Sequence, residues 1–221
     1  MKTNYNGQAE QDKFVIKLLN GKKNGSFLEI GSNHPIKINN TYLLETEYDY
    51  KGIMIEYDKK YAPLYNKYRK SHYIIHDATK INYLDLLKKY NMPKNIDYLQ
   101  IDLEVANGST LNTLKKLHKE IFDEYKFATI TFEHDIYRSN YLNTRAISRE
   151  IFENNGYYPV FYDINNSKND PFEDWYVYPS LVNMEYIYKL QEANKNKYKE
   201  IKNYMNVSIN TLYYMDINYD F

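Results

Sequence analysis

Phe27-Leu28-Glu29-Ile30-Gly31-Ser32-Asn33 reads as an apolar strand that ends in a carboxylate and turns on a glycine. In open α/β sheets ligands bind just beyond the carboxyl ends of the strands, so a strand of this kind marks the place of a site. Glycine at 31 removes the Cβ that would keep a ligand away from the backbone. A single glycine does not make the G-x-G-x-x-G fingerprint of dinucleotide folds, which argues against a nicotinamide enzyme. Glu29, Gly31, Ser32 and Asn33 are the ligand contacts this stretch predicts.

Outward from it, short apolar runs alternate with amphipathic ones, the pattern of a parallel sheet covered by helices. Strands are expected at residues 26–30, 52–56, 73–76, 96–102, 127–134, 158–162 and 175–178. Several are continuously apolar, as strands buried on both faces are. Helices are expected near 40–48, 59–70, 81–90, 109–119 and 142–155, with an N-terminal helix over 5–20 and a longer polar one over 181–204. The fold class is α/β, a doubly wound, mostly parallel, seven-stranded Rossmann-like sheet with helical additions at both ends. One domain spans residues 1–221, with its core at about 24–180 and an irregular, Tyr-rich tail after Asn206. Folding at this size hides roughly 70% of the unfolded surface, enough for a sizeable core.

Three more segments end strands in acids. Gly52-Ile53-Met54-Ile55-Glu56 places a carboxylate where the two hydroxyls of a bound ribose are accepted in such folds. Glu56 equally suits the N-terminus of a following helix. In Ile74-Ile75-His76-Asp77-Ala78, Asp77 suits either an adenine amino group or a turn cap. Ile96-Asp97-Tyr98-Leu99-Gln100-Ile101-Asp102-Leu103-Glu104 sends two carboxylates out of the central fourth strand. Period-two alternation puts Asp102 and Glu104 on one side, where a pair can bind a metal or work as acid and base. Glu104 equally suits a solvated acid opening the next turn. Thr129-Ile130-Thr131-Phe132-Glu133-His134-Asp135 ends in three polar groups, and a histidine between two carboxylates is a candidate base.

Composition sets the exclusions. Lys plus Arg and Asp plus Glu are both 29, so there is no net charge to hold a phosphate backbone, and no nucleic-acid partner is expected. The lysine-rich run over 195–202 reads as the solvated face of a helix. No cysteine is present, which excludes disulfides, zinc-thiolate sites and thiol nucleophiles. No apolar run approaches the roughly 18 residues of a membrane span, and no secretory signal is visible. A cytoplasmic protein without membrane attachment is the expectation.

Taken in order, these motifs resemble the FkbM family of methyltransferases, over about residues 25–179. The resemblance is carried by Glu29-x-Gly31, the downstream Asn40-Thr41 that opens a helix, and Gly52-Ile53-x-Ile55-Glu56. It continues through Tyr98-Leu99-x-Ile101-Asp102-x-Glu104, Glu133-His134 and Phe172-Glu173-Asp174-Trp175-Tyr176-Val177. Each is modest alone; their order and spacing make the likeness specific. Two positions depart from the family. His34-Pro35 stand where an acid and a glycine are frequent, and Val105 stands where a glycine follows the fourth-strand glutamate. The seven strands likewise match class I methyltransferases, in which the last strand inserts antiparallel beside the fifth.

What the resemblance implies is methyl transfer from S-adenosyl-L-methionine to an oxygen, most often on a sugar or a polyketide-like metabolite. Glu29, Gly31, Ser32, Asn33, Glu56, Asp77, Ala78 and Asp102 would hold the cofactor. His134, with Asp102 and Glu104, would activate the acceptor, as a base or through a Mg²⁺ held by Asp102, Glu133 and His134. Glu133, Asp174 and Trp175 would bind the acceptor, the carboxylates taking hydroxyl hydrogen bonds while the indole covers a sugar's apolar face. Trp175 equally suits the core. The partner is a small-molecule or glycan acceptor, with a homo-oligomer left open. Two rivals stand beside this reading: a nucleotide-sugar-handling Rossmann-like transferase, weakened by the lack of an Asp-x-Asp motif, and a degenerate methyltransferase fold serving as a binding module.

Overall fold

In the computed structural model, which describes residues 5–194 apart from 139, 140, 167 and 169, β1 (Ser26–Ile30) is an inner strand of a seven-stranded sheet, beside the central fourth strand. It pairs in parallel with β2 (Lys51–Glu56) on one side and β4 (Asn95–Ile101) on the other. β3 (His72–Ile75) extends the sheet beyond β2, and β5 (Lys126–Glu133) beyond β4. β7 (Pro171–Val177) then runs antiparallel between β5 and β6 (Tyr158–Asn165). The order β3-β2-β1-β4-β5-β7-β6 reverses between β1 and β4. Connections leave that point toward opposite faces, so a crevice opens there beyond the carboxyl ends.

Strand alternation decides which helix each residue meets. Phe27, Tyr98 and Trp175 point to the face covered by α1 (Gln11–Leu18), α2 (Tyr42–Tyr48), α3 (Ala62–Tyr68) and α7 (Met184–Asn194). Their successors Leu28, Leu99 and Tyr176 point to the other face, under α4 (Tyr83–Lys89), α5 (Ser109–Glu120) and α6 (Leu142–Asn154). Phe14, Leu44 and Tyr65 anchor the first helix layer, and Leu87, Leu114 and Phe152 the second. Each such side chain stabilises the fold by about 1.5–3 kcal/mol on burial.

The expected doubly wound sheet and the antiparallel insertion beside the fifth strand are both present. Three boundaries differ for physical reasons. α1 starts at Gln11 rather than near 5, because the preceding residues fold back onto it: the Asn6 amide donates to Asp12 Oδ2 at 2.6 Å and the Ala9 amide to Gln11 Oε1 at 2.9 Å. The helix expected over 59–70 is a 3₁₀ turn, Lys59–Tyr61, followed by α3 with a proline in its first turn. β7 begins at Pro171 rather than 175, since the acids Glu173 and Asp174 lie inside the strand. Of the long C-terminal helix, α7 is described; the lysine run over 195–202 and the tail lie outside the described residues. No helix among the described residues is long and apolar enough to cross a membrane.

Candidate functional site

A cleft of about 650 Å³ lies at the carboxyl ends of β1, β2, β4 and β5. Gly31 forms its floor with φ +86°, and a Cβ there would lie 1.7 Å from the Asp102 carbonyl oxygen. Only glycine permits the ends of β1 and β4 to touch in this way. The strand ends are tied by backbone bonds, Asp102 N to Ile30 O at 3.0 Å and Gly31 N to Ile55 O at 2.9 Å.

Residues 31–41 form the wall over β2. Glu56 holds this loop through one oxygen, which accepts from the Asn33 amide at 2.7 Å, while its other oxygen accepts from the Asp58 amide just after β2, also at 2.7 Å. His34 Nδ1 accepts from the amides of Ile36 and Lys37, and the Pro35 carbonyl accepts from Arg69, so the His34-Pro35 departure is built into a bonded turn. Arg69 also donates to Asn39 Oδ1, Thr41 Oγ1 and Glu45 Oε1, binding the whole loop to the end of α3. Glu29 is fully buried beneath it and accepts from Asn39 Nδ2 and Thr41 Oγ1. Burial pushes its carboxyl up, with the Arg69 charge and those hydrogen bonds opposing. Ile38 holds a left-handed backbone, φ +55°, while 66% exposed at the cleft mouth. A β-branched residue pays for that conformation, and such strain collects at ligand clamps.

The floor of the other half is a row of acids. The register Ile101↔Phe132↔Asp174 sets Asp102, Glu133 and Glu173 side by side across β4, β5 and β7, with Glu133↔Glu173 directly paired. The Asp102 and Glu133 carboxyls lie close enough to each other to interact strongly. Burial, then their mutual repulsion, raises Glu133 well above the usual carboxylate range, and burial raises Asp102. Glu173 is buried and pushed up to about 8 by that burial, although Trp175 Nε1 donates to it at 2.6 Å and Gln11 Nε2 at 2.8 Å. Gln100 lies one pleat before Asp102, with Nε2 3.4 Å from Asp102 Oδ2. Among the described residues of the lining, Glu29, Glu56, Asp58, Asp102, Glu104, Glu133 and Asp135 outnumber the cations Lys37, Lys60 and Arg138.

Glu29, Gly31, Ser32, Asn33, Glu56, Asp102, Glu104 and Glu133 therefore line one cleft. Five expected site residues lie elsewhere. Asp77 caps a 3₁₀ turn, accepting from the Thr79 amide at 3.0 Å, and neither it nor Ala78 lines the cleft. His134 is fully buried; its Nδ1 accepts from the Ile136 amide, and its Nε2 faces Asp174 Oδ1 at 3.4 Å. With one nitrogen accepting from an amide and the other turned to a carboxylate, it has no free lone pair for a substrate proton. Asp174 is buried against Arg149 at 2.8 and 3.0 Å, not offered to an acceptor. Trp175 is a core residue, 4.6 Å from the Phe14 ring. Glu104, which does line the cleft, is exposed and also accepts from the Ala106 amide. Val105 needs no glycine, because the left-handed turn falls at Gly108, φ +79°.

Sequence reasoning missed Arg69, Gln11 and Gln100. Gln100 was within reach of the same alternation that paired Asp102 with Glu104. Arg69 and Gln11 gave no local signal, since their partners lie 24–34 and 162 residues away.

No family model matches the sequence, and no curated protein matches it. Solved structures are similar in fold. A protein from Clostridium thermocellum named as an rRNA-methylase has 12% identity, covering 80% of this chain and 99% of its own, with a TM-score of 0.51. An RNA methyltransferase from Salinibacter ruber, in complex with S-adenosyl-L-homocysteine, has 10% identity over 78% of this chain and 92% of its own, with a TM-score of 0.42. MtNAS, in complex with MTA and tNA, has 14% identity over 75% of this chain, which spans 58% of MtNAS, with a TM-score of 0.45. The first of these likenesses and the strand order agree: the fold is the seven-stranded Rossmann-like fold of class I S-adenosylmethionine-dependent methyltransferases.

Proposed function

We propose that the chain is an S-adenosylmethionine-dependent O-methyltransferase of the FkbM kind, acting on a hydroxyl of a small sugar-like acceptor. The observation that carries this reading is the division of one cleft into two unlike halves. Beside β1 and β2, the Gly31 floor, the bonded loop over residues 31–41 and Glu56 make a rigid cradle suited to a nucleoside and an amino-acid tail. Beside β4 and β5, Asp102 and Glu133 face the same space with raised proton affinity.

S-adenosylmethionine, when bound, supplies a methyl group on a positively charged sulfur. The chain's own residues then position and deprotonate. Glu56 would accept from the ribose, and Gly31, Ser32 and Asn33 would border the amino-acid end. Asp102 and Glu133 would accept the acceptor's hydrogen bond and then its proton, a contribution typically worth about 10² to 10⁴ in rate. A hydroxyl suits this site because carboxylates only accept while a hydroxyl donates. Tyr57 and Tyr137, both exposed at the cleft, offer the aromatic faces that a sugar ring needs and Trp175 does not. A phosphate-rich acceptor such as RNA is disfavoured by the acid-lined wall.

Calorimetric titration with S-adenosylhomocysteine tests the reading. Micromolar binding that Glu56→Ala weakens at least tenfold is expected; no binding by the parent protein overturns it. Incubating glycan pools with isotopically labelled S-adenosylmethionine then tests the acceptor class.

A further inference from the structure

We propose that Asp102 and Glu133 form a divalent-cation site, with the side-chain oxygen of Gln100 as the third protein ligand. The proposal deepens the methyl-transfer reading, on which it rests for the purpose of the ion, though not for its binding.

Three observations converge on these residues. Asp102 and Glu133 leave adjacent strands at the same level, with their carboxyls in contact and both partly open to the cleft. Among the described residues neither has a lysine or arginine at ion-pair distance; the Arg138 guanidinium is bound to Asp135 at 3.1 Å. Two carboxylates brought together repel, and a cation bound between them offsets that repulsion. The third observation is independent of the acids. Gln100 lines the cleft yet is 3% exposed, and its Oε1 is buried without any hydrogen-bond partner. A buried carbonyl oxygen left unpaired costs about 1–3 kcal/mol, so its presence beside the pair calls for a ligand. Its amide nitrogen makes only the 3.4 Å contact to Asp102. Turning the terminal amide by half a revolution exchanges nitrogen for oxygen and presents Oε1 at that same point.

The donor set is all hard oxygen, which suits Mg²⁺ or Mn²⁺ over softer ions. Mg²⁺ commonly takes one or two carboxylates and keeps several waters, leaving positions for an acceptor's oxygens. An ion here would be held by Asp102, Glu133 and Gln100 and would supply positive charge next to an acceptor's hydroxyl. His134 is not one of its ligands. It converges instead with Asp163 and Asp174, a set already neutralised by Arg145 and Arg149 at 2.8–3.0 Å.

Mn²⁺ titration of the chelator-treated full chain, followed by electron paramagnetic resonance, tests the site without any need for turnover. One ion should bind with a dissociation constant on the order of 10⁻⁴ to 10⁻³ M, and Mg²⁺ should displace it. Glu133→Gln and Asp102→Asn should each weaken binding at least tenfold, and Gln100→Leu several-fold. Gln100→Glu should tighten it, and His134→Gln should leave it unchanged. Circular dichroism shows that each variant is folded, and the glutamine and glutamate variants at two different positions guard against one that is not. No stoichiometric Mn²⁺ at 1 mM, or binding indifferent to both acid substitutions, overturns the proposal. S-adenosylhomocysteine binding without Mn²⁺ binding overturns the ion alone; Mn²⁺ binding without S-adenosylhomocysteine binding overturns the methyl-transfer reading and leaves the ion.

Discussion

Two groups of carboxylates lie at the same end of the sheet, on opposite faces, and they have opposite electrostatic fates. Asp174 points toward α6 and meets Arg149 at 2.8 and 3.0 Å, the Asp163 amide at 2.7 Å, His134 at 3.4 Å and the Tyr176 hydroxyl at 3.3 Å. Burial pulls its carboxyl up, but the His134 and Arg149 hydrogen bonds win and hold it below the ordinary range. Asp102, Glu133 and Glu173, on the α1 face, have no such cation among the described residues, and all three are raised. A buried acid with every lone pair answered is part of the scaffold. Buried acids held together unneutralised are destabilising to the free protein, and their retention points to work done on a ligand.

Substitutions on the two faces should therefore separate activity from stability. Glu133→Gln is expected to lower kcat by about 10² to 10⁴ while leaving the urea midpoint unchanged or slightly higher, since it removes a repulsion. Arg149→Met should do the reverse, costing about 3–5 kcal/mol by stranding Asp174, with KM for S-adenosylmethionine unaltered. If the urea midpoints of these two proteins move together, the distinction between the faces is lost.

Asp12 sharpens the comparison, because it is buried with the backbone amides of Asn6 and Lys13 as hydrogen-bond partners. Burial raises it from 3.8 to about 6, against the amide hydrogen bonds of Asn6, Lys13 and Gly7. Between those two values the folded chain binds the proton more tightly than the unfolded one, so stability falls as pH rises from about 4 to 6. The full change is on the order of 2–3 kcal/mol. Unfolding measured across pH 4–7 should show that decline, and Asp12→Asn should flatten it. The smallest effect belongs to Trp175→Phe, which shrinks a core side chain and removes one donor to Glu173. Its Tm should drop by roughly 2–6 °C with the acceptor KM unchanged; an altered KM at an unaltered Tm would return the indole to the acceptor site.

Much of the fold was legible because it rests on local pattern. β1 falls on residues 26–30 as read, and the ends of the other parallel strands were marked by acids after apolar runs. The same alternation that predicted the strands, carried one residue further, turns His134 away from Glu133 and Asp174 away from Glu173. Reading Glu133 together with His134, and Asp174 together with Trp175, overlooked that consecutive strand residues serve opposite faces. The start of β7 was hidden for a related reason. Glu and Asp are poor strand residues by propensity, and distant partners, Gln11 for one and Arg149 for the other, help make them acceptable in a buried strand. The loop over residues 31–41 carries His34-Pro35 in place of a more flexible pair, and its order depends on Arg69, which no local motif announces.

The contact between Gly31 and Asp102 has a consequence for cooperativity. A glycine without room for a methyl group lets the two halves of the cleft share one piece of backbone, so neither strand end can shift while the other stays still. A ligand that settles against Gly31 also biases the position of Asp102, and one that engages Asp102 biases Gly31. By linkage the two affinities change by the same factor whichever ligand arrives first. Donor and acceptor would then be recognised as a pair, through the joined ends of two strands and without a moving lid.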